Sequence, residues 1–415
     1  MSFIRELGAA ERIYCREQAD YGNQILVQVI IANTKINIDE STARSALLRL
    51  YHDYFPVFGY EICPSNDKTT LVYKAKDARQ AEQDLMANFK YEQDVDWHEV
   101  FERELNTPFD DTNLTRWSVI NEHILIMSFY HVLVDAKNLF SIGRQYLSLC
   151  TLLPVQKETS NFLEPMEKYL FNKYSFEAIS DLEMKPRPIR PNPLLSRTAV
   201  RHFYLPSKIL SYLKQQCHLH TIRLNSILTI ITSAAYYLAR DCEQEKTIKI
   251  HMMVNIRPHL ELNYDQSGMF ATVFDCFVEL DKYSINSLWS KAIEQHHDLH
   301  NRIKEKEYIA NCKNDTDLLK MIHNNEDFSV NDVDFAFSNL GSLTNTVADQ
   351  IEEHYYGVSL IEQRWTSLIL VGVSTINNHL CFTITYNKNC ISKDFIEKWI
   401  EKMFYLIEQL EIQSK

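Results

Sequence analysis

The stretch NEHILIMSFYHVLVDAKNLFSIGRQYLSLC, Asn121 to Cys150, changes its hydrophobic period in the middle. Ile124 to Phe129 is alternating and then continuously apolar, the pattern of a buried strand. Beyond it, Leu139, Ile142, Tyr146, Leu147 and Cys150 recur at helical spacing. Between the two periods stand Tyr130, His131, a short apolar spacer and Asp135. A histidine therefore sits where a strand leaves its sheet, and an aspartate where the next helix begins. Flanking elements fix the backbone there while a side chain can still face a cleft. Two readings of His131 compete. In one, a backbone carbonyl satisfies a partly buried imidazole and Asp135 is an ordinary helix N-cap. In the other, His131 is a general base titrating near neutral pH.

Working outward, Trp117–Ile120 and Ile124–Phe129 predict a hairpin across Asn121 and Glu122. Upstream, Ile25–Ala32 is a strand of branched residues. Asp39 is placed to cap a helix running to about His52, with Ala43, Ala46, Leu47 and Leu50 on its inner side. Acidic residues crowd 92–104, which reads as solvated surface. Downstream, KPRPIRPNP at 185–193 holds four of the 11 prolines and reads as a crossing between two lobes. The expected division is 1–185, a linker at 186–193, and 194–415. The second half restarts with strands at Val200–Leu205, Ile248–Ile256, Met269–Leu280 and Val333–Phe337. Leu224–Ala239 is apolar almost all round and predicts a buried helix, with Thr221 or Asn225 as its cap. Leu368–Thr375 and Leu380–Tyr386 predict a hairpin across Asn377 and Asn378, and Ser392–Leu410 a closing helix. Both halves mix strands and helices, so the class is α/β or α+β in two lobes.

The 415 residues are 45% hydrophobic and 24% charged, ordinary for a globular chain. A net charge of -12 argues against nucleic acid or an anionic membrane as the main partner. No apolar run has the length of a membrane span, and the charged N-terminus does not read as a secretory signal. The 9 cysteines lack CxxC pairing, which fits reduced thiols and a cytoplasmic setting. With only 8 glycines, neither GxGxxG nor GxxxxGK[ST] occurs.

Tyr130–Ala136, YHVLVDA, resembles the HHxxxDG motif of the chloramphenicol-acetyltransferase-like superfamily. That group includes condensation domains of peptide synthetases, polyketide-associated acyltransferases and alcohol acetyltransferases. Other marks follow in the family's order over nearly the whole chain. The helix ending in Phe55–Phe58, FPVF, is similar to its early helix. Thr221–Leu238 resembles its buried T-x-N-x-x-L helix. Asn255, Arg257 and Pro258 resemble an N-x-R-P strand end, with Gly268–Phe270 its following turn. Ser338–Gly341, SNLG, resembles a segment of the acyltransferase branch.

The resemblance implies two similar α/β lobes in a V with an active-site tunnel between them. It implies no bound cofactor but an acyl-CoA or phosphopantetheine thioester as cosubstrate. A small-molecule acceptor would be the partner, with an acyl or peptidyl carrier protein a further one. His131 takes the place of the catalytic base. Asp135 takes that of a structural carboxylate paired with Arg257, and Ser338, Asn339 or Tyr130 would lie near the tunnel or the oxyanion. Two positions depart from the pattern: Tyr130 replaces the first histidine, and Ala136 the glycine. The SNLG segment favours ester formation. The expected function is thus an HxxxD-type acyltransferase. The alternatives are a free-standing condensation enzyme forming an amide and a catalytically degenerate binding module.

Other motifs are weaker. His296 and His300 lie four apart on a helix without a third metal ligand, so a solvated face is expected. His218 and His220 are too close together for a helical metal site and lack a cysteine partner. GVSTI at 372–376 lacks the second glycine of a nucleophile elbow. LGSL at 340–343 has a slight likeness to a carrier-protein phosphopantetheine site, but it follows an apolar strand in mid-domain. With no covalent nucleophile evident, direct attack is expected over a two-step route.

Overall fold

Alternating apolar residues bounded by left-handed turn positions set the strand ends. Asn121 (φ 49°) with Glu122 (φ 66°), and Asn377 (φ 44°) with Asn378 (φ 63°), make the two hairpin turns where expected. The structure is a computed structural model. It describes residues 2–21, 24–67, 70–110, 112–153, 164–174, 197–241, 244–262, 266–281, 287–311, 333–343, 350–360 and 367–413. The proline-rich segment 186–193 lies outside these.

Along the chain run β1 (Ser2–Glu6), α1 (Ala9–Tyr21), β2 (Ile25–Ala32), α2 (Glu40–Arg49), β3 (Tyr60–Pro64), β4 (Leu71–Ala75), α3 (Ala78–Ala87), β5 (Phe89–Glu92), α4 (Trp97–Leu105), β6 (Thr115–Ile120), β7 (Ile124–Tyr130) and α5 (Ala136–Cys150). Then come α6 (Met166–Tyr174), β8 (Thr198–Leu205), α7 (Ser207–Leu219), α8 (Leu224–Ala239), β9 (Lys246–Asn255), β10 (Ala271–Leu280), α9 (Leu288–Lys304), β11 (Phe335–Ser342), β12 (Ile351–Val358), β13 (Ile369–Ile376), β14 (His379–Asn387) and a closing helix, Lys393–Gln413.

The described strands form three sheets. One is β1-β4-β3. A five-stranded sheet runs β12-β2-β7-β6-β5, and a six-stranded sheet runs β10-β9-β11-β13-β14-β8. One hydrophobic core gathers α2, α5 and the five-stranded sheet. A second gathers α8, the closing helix and the six-stranded sheet. The class is mixed α/β, as the alternation of elements predicts.

Three local expectations are corrected. The acidic segment 92–104 is not all solvated: Glu104, on the inner side of α4, is buried and accepts from Arg116 Nε at 2.5 Å and Ser128 Oγ at 3.1 Å. A carboxylate paired in this way can sit inside, which composition alone does not reveal. Helix α8 is capped by neither Thr221 nor Asn225. Arg223 holds the cap position without a side-chain bond. The Asn225 amide bonds elsewhere, its oxygen accepting from Asn339 Nδ2 at 3.0 Å. The strand expected over Val333–Phe337 is displaced: β11 runs from Phe335 through the SNLG segment to Ser342.

Strand β12, like β1 and β5, is an element that sequence periodicity missed. It comes from the second half of the chain but pairs antiparallel with β2, Tyr356 opposite Gln28. Glycines let it lie close to the other sheet. A Cβ on Gly372 would meet Tyr356 at 3.0 Å, and one on Gly357 would meet Thr385 at 2.4 Å. His354 on β12 is fully buried, its Nε2 2.9 Å from Gln28 Oε1 and its Nδ1 2.9 Å from Ser374 Oγ. One imidazole thereby ties β2, β12 and β13 together. Burial, and next the charge of Lys137, bring its pKa down to about 3, so the ring is neutral at neutral pH.

The ordinary histidine pKa in the unfolded chain is about 6.5. Below that value the unfolded state takes up a proton that the folded state refuses, so acid weakens the fold until about pH 3. Between pH 6.5 and 4.5 this one group removes about 2–3 kcal/mol, at about 1.4 kcal/mol per unit. His354→Gln should be less stable at pH 7 yet lose less stability over that range. Urea denaturation of both proteins at the two pH values measures the difference, and equal losses would refute the assignment.

Candidate active site

His131 occupies the turn between β7 and α5, and the main chain fixes it on both sides. Its N–H donates to the Gln24 carbonyl at 2.8 Å. The same loop is pinned by the Tyr73 hydroxyl, which donates to the Val132 carbonyl at 3.0 Å. Ring Nδ1 lies 2.9 Å from the Val134 carbonyl. A carbonyl only accepts, so Nδ1 carries the hydrogen and Nε2 keeps its lone pair. The ring lies tilted against Tyr14 of α1, with centroids 5.1 Å apart. Burial lowers the imidazole pKa, opposed in part by its hydrogen bonds and by Asp135. The ring is a neutral base at neutral pH.

Four residues on, Asp135 caps α5: its Oδ1 accepts from Asn138 N–H at 3.0 Å. Its Oδ2 accepts from the Arg257 guanidinium and from Phe270 N–H, the latter at 3.1 Å. Arg257 has no exposed surface; it donates to the Gly268 carbonyl at 2.8 Å and stacks over the Phe270 ring at 4.9 Å. The predicted carboxylate–guanidinium partners are therefore brought together across the two halves of the chain. Both charges are buried and mutually neutralised.

A cavity of about 340 Å³ opens beside His131. One side is the six-stranded sheet. Met253 and Asn255 of β9, Ala271 and Val273 of β10, and Ala336, Ser338 and Leu340 of β11 line it at alternate positions. The register places Met253 opposite both Val273 and Ser338, so these side chains share one face. The other side comes from Leu26 of β2, Tyr14, His131 and the first turn of α5, with Tyr356 and Val358 of β12 closing it.

His131 and Asp135 thus line one side of the cavity and Ser338 and Asn339 of β11 the other, with Arg257 bonded behind Asp135. Asn339 is committed to structure: its Oδ1 accepts from Gly341 N–H at 2.8 Å and its Nδ2 donates to Asn225. Tyr130 is not on the wall. It is fully buried, its ring parallel to Phe109 at 6.3 Å and its hydroxyl 3.4 Å from the Tyr14 carbonyl. Tyr14, Gln24, Lys137 and Tyr356 are wall residues that motif reading did not pick out. Only Lys137 stood beside a motif; the others arrive through tertiary contacts. His296 and His300 stack at 6.3 Å, and no group of three metal-ligating side chains occurs among the described residues. No described helix is long and apolar enough to cross a membrane.

The mixed α/β fold with its two hydrophobic cores has counterparts among solved structures. The chain resembles the condensation domain of the Monacolin K polyketide synthase MokA (TM-score 0.66, 10% identity, 99% of this chain and 98% of that one). It resembles equally the TRI3 trichothecene 15-O-acetyltransferase of Fusarium sporotrichioides (TM-score 0.67, 10% identity, 97% and 95%). A third likeness is to polyketide synthase associated protein 5 of Mycobacterium tuberculosis (TM-score 0.63, 13% identity, 98% and 98%). No family model and no curated protein matches the chain. The fold is that of these three solved structures, over essentially the full length of each chain.

Removing one partner of a buried ion pair leaves the other charge unsatisfied. Asp135→Ala should destabilise the protein by about 3–5 kcal/mol, read by urea denaturation. The double variant Asp135→Asn with Arg257→Met should recover part of that loss. If the double variant is as unstable as the sum of the single ones, the two residues are not coupled.

Proposed function

We propose that the protein is an acyltransferase that moves an acyl group from a coenzyme A or carrier-protein thioester to a small hydroxyl or amine. The observation that carries this reading is the His131 imidazole, neutral and on the cavity wall, with Nδ1 bound to Val134 and Nε2 left as the base. In the proposed reaction Nε2 takes the proton of the acceptor hydroxyl as its oxygen attacks the thioester carbonyl carbon. The tetrahedral intermediate collapses with cleavage of the carbon–sulfur bond. The departing thiolate recovers the proton from the imidazolium, leaving ester, free thiol and a neutral ring. Ser338, which lines the same cavity from the β11 side, is the proposed donor to the developing oxyanion. Asn339, bound at both ends of its amide, is assigned a positioning role. Asp135 and Arg257 hold the loop and relay no charge. The thioester is a cosubstrate in this reading, not a resident group.

A second reading is a free-standing condensation enzyme that forms an amide between carrier-bound substrates. The likeness to condensation domains over nearly the whole chain supports it. Short-chain acyl-CoA donors assayed against the same acyl groups on a carrier protein separate the two.

His131→Ala should lower turnover by about 10²–10⁴-fold with little change in melting temperature. Unchanged turnover would remove His131 as the base, and no turnover in the unmodified protein would leave the binding-module alternative. Because burial lowers the ring's pKa, the acid limb of kcat/KM should fall below pH 6.5. A limb above that value would remove His131 as the base.

A further inference from the structure

Away from the cavity, two imidazoles converge where α4 of the first half packs on β8 of the second. His98 Nε2 lies 3.0 Å from His202 Nε2, with the rings stacked at 4.5 Å. Asp96 orients the first ring. It caps α4 by accepting the His98 N–H at 2.9 Å, and it bonds to His98 Nδ1. Those hydrogen bonds hold its carboxyl below the ordinary carboxylate range, so it is ionised at neutral pH. A carboxylate only accepts, so His98 Nδ1 carries the hydrogen and Nε2 keeps its lone pair. A carboxylate behind the far nitrogen of a histidine is the usual support of a metal ligand. Burial, and next the charges of His98 and Arg201, bring the His202 pKa down to about 4, so no proton charge on that ring opposes a cation. Arg201 is itself met by Glu397, Nε to Oε1 at 2.7 Å.

The packing below fixes both rings. Trp97 stacks on His98 at 3.9 Å, and Tyr355 of β12 meets His202 at 4.8 Å. At the end of α4, Asn106 donates to the Thr198 carbonyl and accepts the Thr198 N–H, both at 2.8 Å, which ties α4 to the start of β8. Zinc binds imidazole nitrogen at about 2.0–2.1 Å. Two such nitrogens on one ion, at an angle between right and tetrahedral, stand about 2.9–3.4 Å apart. The His98–His202 separation falls in that range.

We propose that His98 and His202 form a binding site for a divalent transition-metal ion of the imidazole-preferring kind, zinc above all, which clamps α4 to β8. The two Nε2 atoms are its protein ligands, water completes the shell, and Asp96 supports His98 from behind. The His202 hydrogen moves from Nε2 to Nδ1 as the ion binds, so no net proton is released. None of these residues is among the described lining of the cavity, and the proposal is independent of the acyl-transfer reading.

Isothermal titration of the full-length protein with zinc chloride at pH 7.5, in a buffer that does not bind metal, tests the site. His98→Gln and His202→Gln should each weaken zinc binding at least tenfold. His296→Gln should not, which separates this pair from the histidines of α9. Asp96→Asn keeps a good helix cap but loses the charge, and should weaken binding about tenfold. Zinc should raise the melting temperature of the unmodified protein and not that of His202→Gln. No zinc binding by the unmodified protein overturns the proposal without any variant. So does undiminished affinity in His98→Gln, in His202→Gln or in Asp96→Asn, and so does a loss confined to His296→Gln. If the two rings only share a hydrogen bond, the Gln variants lower the melting temperature while zinc changes it in no protein, and that result also overturns the proposal. Should both Gln variants fail to fold, Asp96→Asn decides alone.

Discussion

One carboxylate holds three things at once. Asp135 caps α5, receives the Arg257 guanidinium, and accepts the N–H of Phe270 at the start of the next strand. The first contact fixes where the helix begins. The other two attach that helix start to the turn between β9 and β10, in the other half of the chain. Buried charges are tolerated only when paired and hydrogen-bonded, so the pair imposes one arrangement on both segments. His131, four residues earlier in the same connection, inherits that fixed backbone. Its ring direction is then set by a single further bond, from Nδ1 to the Val134 carbonyl.

The same low-dielectric surroundings explain the chemistry assigned to the ring. Burial penalises the imidazolium more than the nearby Asp135 charge favours it, because Arg257 already occupies that carboxylate. The outcome is a base that is free to accept a proton at neutral pH. An aspartate bonded directly to the imidazole would have raised its pKa. The structure keeps the two apart and gives the carboxylate a scaffolding task.

Strand β12 supplies the second constraint. It joins the five-stranded sheet through β2 while its side chains press on β13 and β14 of the six-stranded one. His354 bonds to Gln28 on one side and Ser374 on the other. The cavity lies beside this contact, with Tyr356 and Val358 on its wall. Polar groups buried without alternatives for solvation make such a contact geometrically specific. The cavity is therefore a product of the junction between sheets as much as of either sheet.

Local pattern was enough for much of this. Branched apolar residues over Ile25–Ala32, the apolar pattern over Ile124–Phe129, the nearly all-apolar run over Leu224–Ala239, and the paired turn residues at 121–122 and 377–378 each reflect interactions between near neighbours. The YHVLVDA motif marked His131 and Asp135, and the family resemblance carried by the order of the motifs pointed to Arg257 as the partner. Glu104 could not be read as buried, since its partner Arg116 reaches it only after α4 and β6 pack. Tyr130 could not be placed off the cavity, because the face a strand's last residue presents depends on what lies on each side. The pairing of β12 with β2, across more than 300 residues of chain, and the arrival of Lys137 at Leu340 left no local trace. Periodicity records which side of an element avoids water; it does not record which distant element covers that side, and the cavity is made of such coverings.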